Sequence, residues 1–175
     1  MRKLVEALTA QGTIFGVLVA AFVLGTAPPA SAQMKEGKAA GTYAAYGTYK
    51  AAPIGKERLL FTFDENGLAL TDGVFDHTTW HCWGLGDYTN GMGQDQGYCV
   101  VTDPTGDQFV SNFSTEKHAL DQKSFAGTDI WTGGTGKYVG ISGGGTSVFH
   151  SGEFRPATDG TYFNYATWQG SYKLP

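Results

Sequence analysis

From position 41 to the end of the chain, apolar and aromatic residues recur in short runs, broken by clusters of glycine, asparagine, aspartate and proline. No amphipathic run of helical period extends far, whereas β-branched and aromatic residues bounded by turn formers read as strands. The pattern predicts strands over residues 42–52, 58–63, 68–71, 75–83, 97–102, 108–114, 124–132, 146–152 and 161–173. Asp64-Glu65-Asn66-Gly67 suits a type I turn closed by glycine in the left-handed region. Asp103-Pro104-Thr105-Gly106-Asp107 is similar, with proline preset at its first central position. Several short strands at this spacing predict an all-β domain, either a barrel or a β-sandwich.

One hairpin can be read residue by residue. Asn90-Gly91 is a preferred pair for a two-residue type I′ turn, and with those residues at the tip, paired positions sum to 181. Cys82 then falls opposite Cys99. Counting outward from the hydrogen-bonded pair Thr89–Met92 makes the cysteines a non-hydrogen-bonded pair, with Cα atoms about 4.5 Å apart. That separation lies at the short end of the disulfide range, so a Cys82–Cys99 bond is expected. Bulges at Gly84, Gly86, Gly93 or Gly97 are the features that could shift the register.

The first and last strands share a pattern, Gly-Thr-Tyr-x-x-Tyr-x-Thr, at residues 41–48 and 160–167. In an up-and-down barrel these two strands must pair to close the sheet, which would set like side chains beside each other. Biased composition would give the same pattern without such pairing. The 26 glycines and the 14% aromatic content fit strands joined by tight turns.

The N-terminus changes the picture of where the protein works. Arg2 and Lys3 precede an apolar stretch over residues 14–24, then Pro28-Pro29 and the small-residue site Ala30-Ser31-Ala32. This is the pattern of a cleavable signal peptide, residues 1–32, with the cut before Gln33. A secreted or periplasmic location follows, where a disulfide persists. Residues 33–40 read as a flexible lead-in and 41–175 as a single domain. Losing Arg2, Lys3 and Glu6 leaves a net charge of −5 and no basic cluster, which argues against nucleic acid or an anionic membrane as partner. No second apolar run is long enough to span a bilayer.

The most distinctive stretch is Gly133-Gly134-Thr135-Gly136-Lys137-Tyr138-Val139-Gly140-Ile141-Ser142-Gly143-Gly144-Gly145. A nucleotide-binding loop would need Ser or Thr after the lysine, where Tyr138 stands. The segment instead reads as a tight crossing between strands, with Tyr138, Val139 and Ile141 directed into the core. Gly-Gly-Thr-Gly-Lys-Tyr followed by glycines and a strand resembles the late segment of the dirigent and allene oxide cyclase-like barrels, over roughly residues 127–146. The resemblance implies an antiparallel up-and-down barrel of about eight strands with a cavity for a hydrophobic small molecule. In that family the cavity guides radical coupling or cyclisation of a bound substrate. The polar residues that do this in the plant proteins have no matching motif in this sequence.

Other chemistry is sparse. His77 and His81 share a strand face but stand about 13 Å apart, too far to ligate one metal, so no metal site is expected. His118 and His150 lie in other segments. With Cys82 bonded no cysteine nucleophile remains, and Gly140-Ile141-Ser142-Gly143-Gly144 matches Gly-x-Ser-x-Gly in form only, without the α/β context that the motif requires. Asp76, Asp103, Asp107 and Glu153 are dispersed, and Asn112-Phe113-Ser114 matches a glycosylation sequon. The ligand-binding candidates are therefore Trp80, His81, Trp83, Tyr98, Trp131, Phe163 and Trp168, set against the alternative that the aromatics simply pack the core. Three functions stay open: an exported barrel that binds a small hydrophobic ligand, a dirigent- or cyclase-like isomerase, and a structural or interaction protein with a packed barrel. No cofactor is expected for any of them.

Overall fold

The computed structural model describes residues 35–151 and 159–175. The expected signal peptide and its cut site, together with Gly152 and Glu153, lie outside the described residues. The strands are β1 (Lys35–Ile54), β2 (Arg58–Thr71), β3 (Thr78–Thr89), β4 (Met92–Thr102), β5 (Gln108–Thr115), the short β6 (His118–Ala119), β7 (Ser124–Thr132), β8 (Ser142–Ser151) and β9 (Gly160–Leu174).

Each long strand pairs antiparallel with its neighbours in the order β3-β2-β1-β9-β8-β7-β5-β4, and pairing of β4 with β3 closes the sheet into an eight-stranded up-and-down barrel. β6 adds a two-residue ladder to the outer end of β4 through Met92↔Ala119 and Gly93↔His118. Closure removes the free edges that an open sheet of this length would present.

The hairpin register is the one the Asn90-Gly91 turn dictates. Both turn residues have positive φ, 53° and 75°, as a type I′ turn requires, and pairing runs unbroken from Thr89↔Met92 to Thr79↔Thr102. No bulge intervenes at Gly84, Gly86, Gly93 or Gly97. Cys82 and Cys99 form the disulfide with Cα atoms 4.0 Å apart. The first and last strands do pair, with Thr42 opposite Thr167 and Thr48 opposite Thr161.

Four expectations are corrected. Asp64–Gly67 is not a turn: β2 runs straight through it, so Glu65 points into the barrel. β1 begins at Lys35, and residues 35–40 pair with Leu174 to Gln169 of β9. Phe75 does not begin a strand but sits in a 3-10 turn, Gly73–Phe75, ahead of β3. In the glycine-rich segment a second 3-10 turn, Gly136–Tyr138, sends Tyr138 and Ile141 inward, while Val139 stands exposed on the surface.

The glycines inside the barrel make room for rings on the next strand. A Cβ on Gly47 would stand 2.7 Å from the ring of Tyr162, its cross-strand partner. One on Gly84 would stand 2.2 Å from the ring of Phe63, and one on Gly86 equally close to Phe61, again their partners. An eight-stranded barrel has an interior just wide enough for side chains, so large rings require small residues opposite.

The two ends differ. Around β1's N-terminal half, Phe75, Phe109, Trp131, Tyr138, Trp168 and Tyr172 fill the lumen. Phe75 packs at 5.0 Å from Trp131 and 5.1 Å from Tyr172, and Phe109 at 4.9 Å from Tyr138. The Tyr138 hydroxyl donates to the Val74 carbonyl at 2.6 Å, tying the two 3-10 turns together as a plug. Burying rings of this size contributes roughly 2–3 kcal/mol each. The opposite end holds a smaller cluster, Tyr49, Phe61 and Tyr88 with Phe63 and Tyr162 against them, and leaves open space beside it.

Candidate functional site

At that second end the interior-facing residues of β2, β3, β4, β5, β7, β8 and β9 enclose a chamber of 120 Å³. Its walls are the rings of Phe61, Phe63, Phe113, Phe125, Phe149 and Tyr162, with Leu120 from the segment after β6 reaching over the rim. A smaller cavity of 40 Å³ lies deeper, between the chamber and the plug, and shares Glu65, Phe113 and Phe149 with it.

Strand parity explains which polar groups face this space. Odd-numbered residues of β2 point inward, so Glu65 follows Phe61 and Phe63 into the lumen. Odd-numbered residues of β4 and β7 bring in Asp95 and Asp129, and even-numbered residues of β9 bring in Tyr162 and Asn164. Three carboxyl groups therefore share one barrel interior.

Glu65 is the most enclosed. Its Oε1 accepts from the Tyr43 hydroxyl at 2.9 Å, and its Oε2 from the Tyr162 hydroxyl at 2.8 Å and from Asn164 Nδ2 at 2.9 Å. Burial raises its pKa, and the three donors pull in the opposite direction without cancelling the effect. The same burial raises both tyrosine hydroxyls, with the Glu65 charge adding to it. Asp129, deeper in the lumen, accepts from Ser111 and Ser147, each at 3.0 Å, and burial lifts its pKa as well.

Asp95 sits nearer the mouth in a chain of hydrogen bonds. Burial pushes it up to about 7, opposed by the Tyr88 hydroxyl and assisted by the charge of Glu65. The Tyr88 hydroxyl lies 3.2 and 3.3 Å from the two Asp95 oxygens and 2.8 Å from His118 Nε2. His118 Nδ1–H donates to the Glu116 carbonyl at 2.9 Å, and its ring stacks on Phe125 at 3.8 Å. With Nδ1 so committed, a neutral His118 presents Nε2 as an acceptor to the Tyr88 hydroxyl, whose oxygen is then free to accept a proton-bearing Asp95 carboxyl.

Of the residues singled out from sequence, Trp80, Trp131 and Trp168 point inward and line the deeper cavity. Phe163 is 53% exposed on the outer wall and reaches only the chamber's rim. Trp83 and Tyr98 are 41% and 61% exposed, paired with each other on the outside of the barrel. His81 also faces outward, 3.0 Å from Asp64 and stacked near Trp83. His118 is brought to the chamber, whereas His150 stacks on Tyr165 outside it. Asp103 lies under Lys137 at the plugged end, with Asp107 beside it, so neither carboxylate joins Glu65. Sequence reasoning missed Glu65, Asp95, Asp129, Tyr88, Tyr162 and Asn164.

The fold and this chamber define a class: a disulfide-closed, eight-stranded antiparallel barrel, plugged at one end and hollow, aromatic and acidic at the other. No family model and no curated protein matches the chain. Among solved structures, the pterocarpan synthase dirigent protein is similar with a TM-score of 0.44 and 12% identity, over 80% of this chain and 87% of that one. No residue role is carried over from it.

Proposed function

We propose that the protein is an exported barrel that binds one small, mainly apolar molecule end-on in the chamber. The observation that carries this reading is the 120 Å³ space walled by aromatic rings at one end of a barrel whose other end is packed shut. A cavity of about 150 Å³ in an apolar protein core takes up benzene, so a molecule of single-ring size matches this chamber better than a drug-sized one. The Cys82–Cys99 bond supports an oxidising destination, in keeping with the signal-like N-terminus. Native mass spectrometry of protein purified from its own compartment tests the reading. A retained mass of small-molecule size, lost on unfolding, is the expected result. Absence of any retained mass, together with no uptake of added toluene, would overturn it.

A second reading, an enzyme of cyclase or isomerase type, is favoured by the Asp95–Tyr88–His118 chain, which could deliver or remove a proton at the chamber wall. The molecule recovered by native mass spectrometry discriminates the two. Returned to fresh protein, it should convert to an isomer of equal mass and altered retention time if the barrel is catalytic, and come back unchanged if it only binds.

A further inference from the structure

Hydrogen-bond accounting inside the chamber shows an imbalance. Asn164 Nδ2 is committed to Glu65, which fixes the orientation of the amide, because the reverse orientation would set two acceptors against each other. Its Oδ1 is then left buried with no hydrogen-bond partner among the described residues. Asn164 lines the chamber together with Glu65 and Asp95. The basic side chains that line it are His118, engaged with Tyr88 and Glu116, and Lys123. Asn164 Oδ1 lies behind the wall, and what faces the open space is the Asp95 carboxyl, 17% exposed, and the faces of several rings. Ring faces and carboxylates both attract positive charge.

We propose that the chamber selects compact apolar molecules that carry a protonated amine, with the ammonium donating to the Asp95 carboxylate while the rings surround the apolar body. This rests on the reading of the chamber as a ligand site. It specifies what the site prefers: an organic cation over a neutral molecule of the same shape.

A consequence is coupling to pH. Asp95 is pushed up to about 7 in the ligand-free barrel, so a cation binding below that pH must displace its proton. The groups facing Asp95 are Tyr88 on β3, Thr115 on β5, His118 on β6 and, across the lumen, Glu65 on β2. Asp121 and Lys123 also line the chamber.

Isothermal titration of the purified protein with benzylammonium, benzyl alcohol and toluene at pH 6 and pH 8 tests the proposal. An alkylammonium stays protonated over this range. Benzylammonium should bind most tightly of the three at pH 8 and lose about tenfold in affinity at pH 6, the change expected when one proton is displaced from a group near 7. Benzyl alcohol should show no such dependence, and Asp95→Asn should remove the dependence for benzylammonium. Benzyl alcohol binding as tightly as benzylammonium at pH 8, or a pH-invariant benzylammonium affinity, overturns the selectivity and leaves the ligand site standing. If none of the three binds, the ligand site itself falls and the proposal with it. Should Asp95→Asn fail to fold, the two wild-type profiles decide alone.

Discussion

Replacing Asp95 by asparagine should flatten the dependence of the barrel's stability on pH. In the folded chain, burial lifts this carboxyl from its ordinary 3.8 to about 7. A group whose folded pKa is raised holds its proton more tightly in the folded state. Its contribution is therefore fully present below the unfolded value and is lost as pH rises through the folded one. For Asp95 the window runs from about pH 4 to about pH 7, and the gap amounts to about 4 kcal/mol. That is a large share of the 5–15 kcal/mol, roughly, that holds a domain together. Asparagine has the shape of the protonated acid and no charge to lose. The variant should match the wild type near pH 4 and exceed it at pH 8, by up to that amount.

Glu65 and Asp129 are shifted in the same direction by burial and remain in the variant, so a shallower fall with rising pH should survive. The assay is urea unfolding at closely spaced pH values, with the disulfide intact and the slopes compared to confirm that the same surface is exposed each time. Parallel wild-type and variant curves between pH 4 and pH 8 would refute the reasoning. Such a result would mean that Asp95 gives up its proton in the folded chain as readily as in the unfolded one.

Three further outcomes follow from the packing. Replacing Cys82 and Cys99 by alanine opens a link spanning 17 residues and should lower the unfolding free energy in urea by about 3 kcal/mol; a loss below about 1 kcal/mol would contradict the role given to the bond. Glu65→Ala strands three donors and should cost about 3 kcal/mol in thermal or urea unfolding, clearly more than Glu65→Gln, which keeps one acceptor oxygen; equal losses would count against the network. Gly84→Ala places a Cβ 2.2 Å from the Phe63 ring and 2.6 Å from the Gln96 carbonyl, so the barrel should lose about 1–3 kcal/mol and the chamber its affinity for toluene, whereas an unchanged melting temperature would show that the ring can move aside.

The parts of the fold that could be read from sequence are those governed by local geometry. A two-residue turn at Asn90-Gly91 admits one register, and that register carries Cys82 to Cys99 without any knowledge of the rest of the molecule. Pairing of the first and last strands was legible from the repeated tyrosines and threonines because closing a barrel leaves those strands no other partner. Where a residue serves a distant neighbour, the local signal misleads. Gly67 looks like the end of a turn, yet a Cβ there would stand 2.3 Å from the ring of Tyr43, and the glycine lets that ring lie across β2. Residues 35–40 look like a loose lead-in because their composition is polar and alanine-rich, yet β9 supplies a partner for every one of them.

The site was hidden by that same misreading of Gly67, and the two errors are one. Treating Asp64–Gly67 as a turn ends the strand at Phe63 and leaves Glu65 in solvent. Continuing the alternation of Phe61 and Phe63 by one step places Glu65 in the lumen. Asp95 was closer to hand. Once Cys99 is on the inner face of β4, a residue four positions earlier on the same strand shares that face, and Asp95 is that residue. The reading toward aromatic candidates favoured large rings wherever they occurred, and so drew in Trp83 and Tyr98, which the parity of Cys82 and Cys99 puts on the outside. What distinguishes the chamber from the rest of the barrel is therefore parity more than residue type: the same alternation that turns two aromatic side chains outward turns carboxyl groups inward, among rings for which glycines on neighbouring strands leave space.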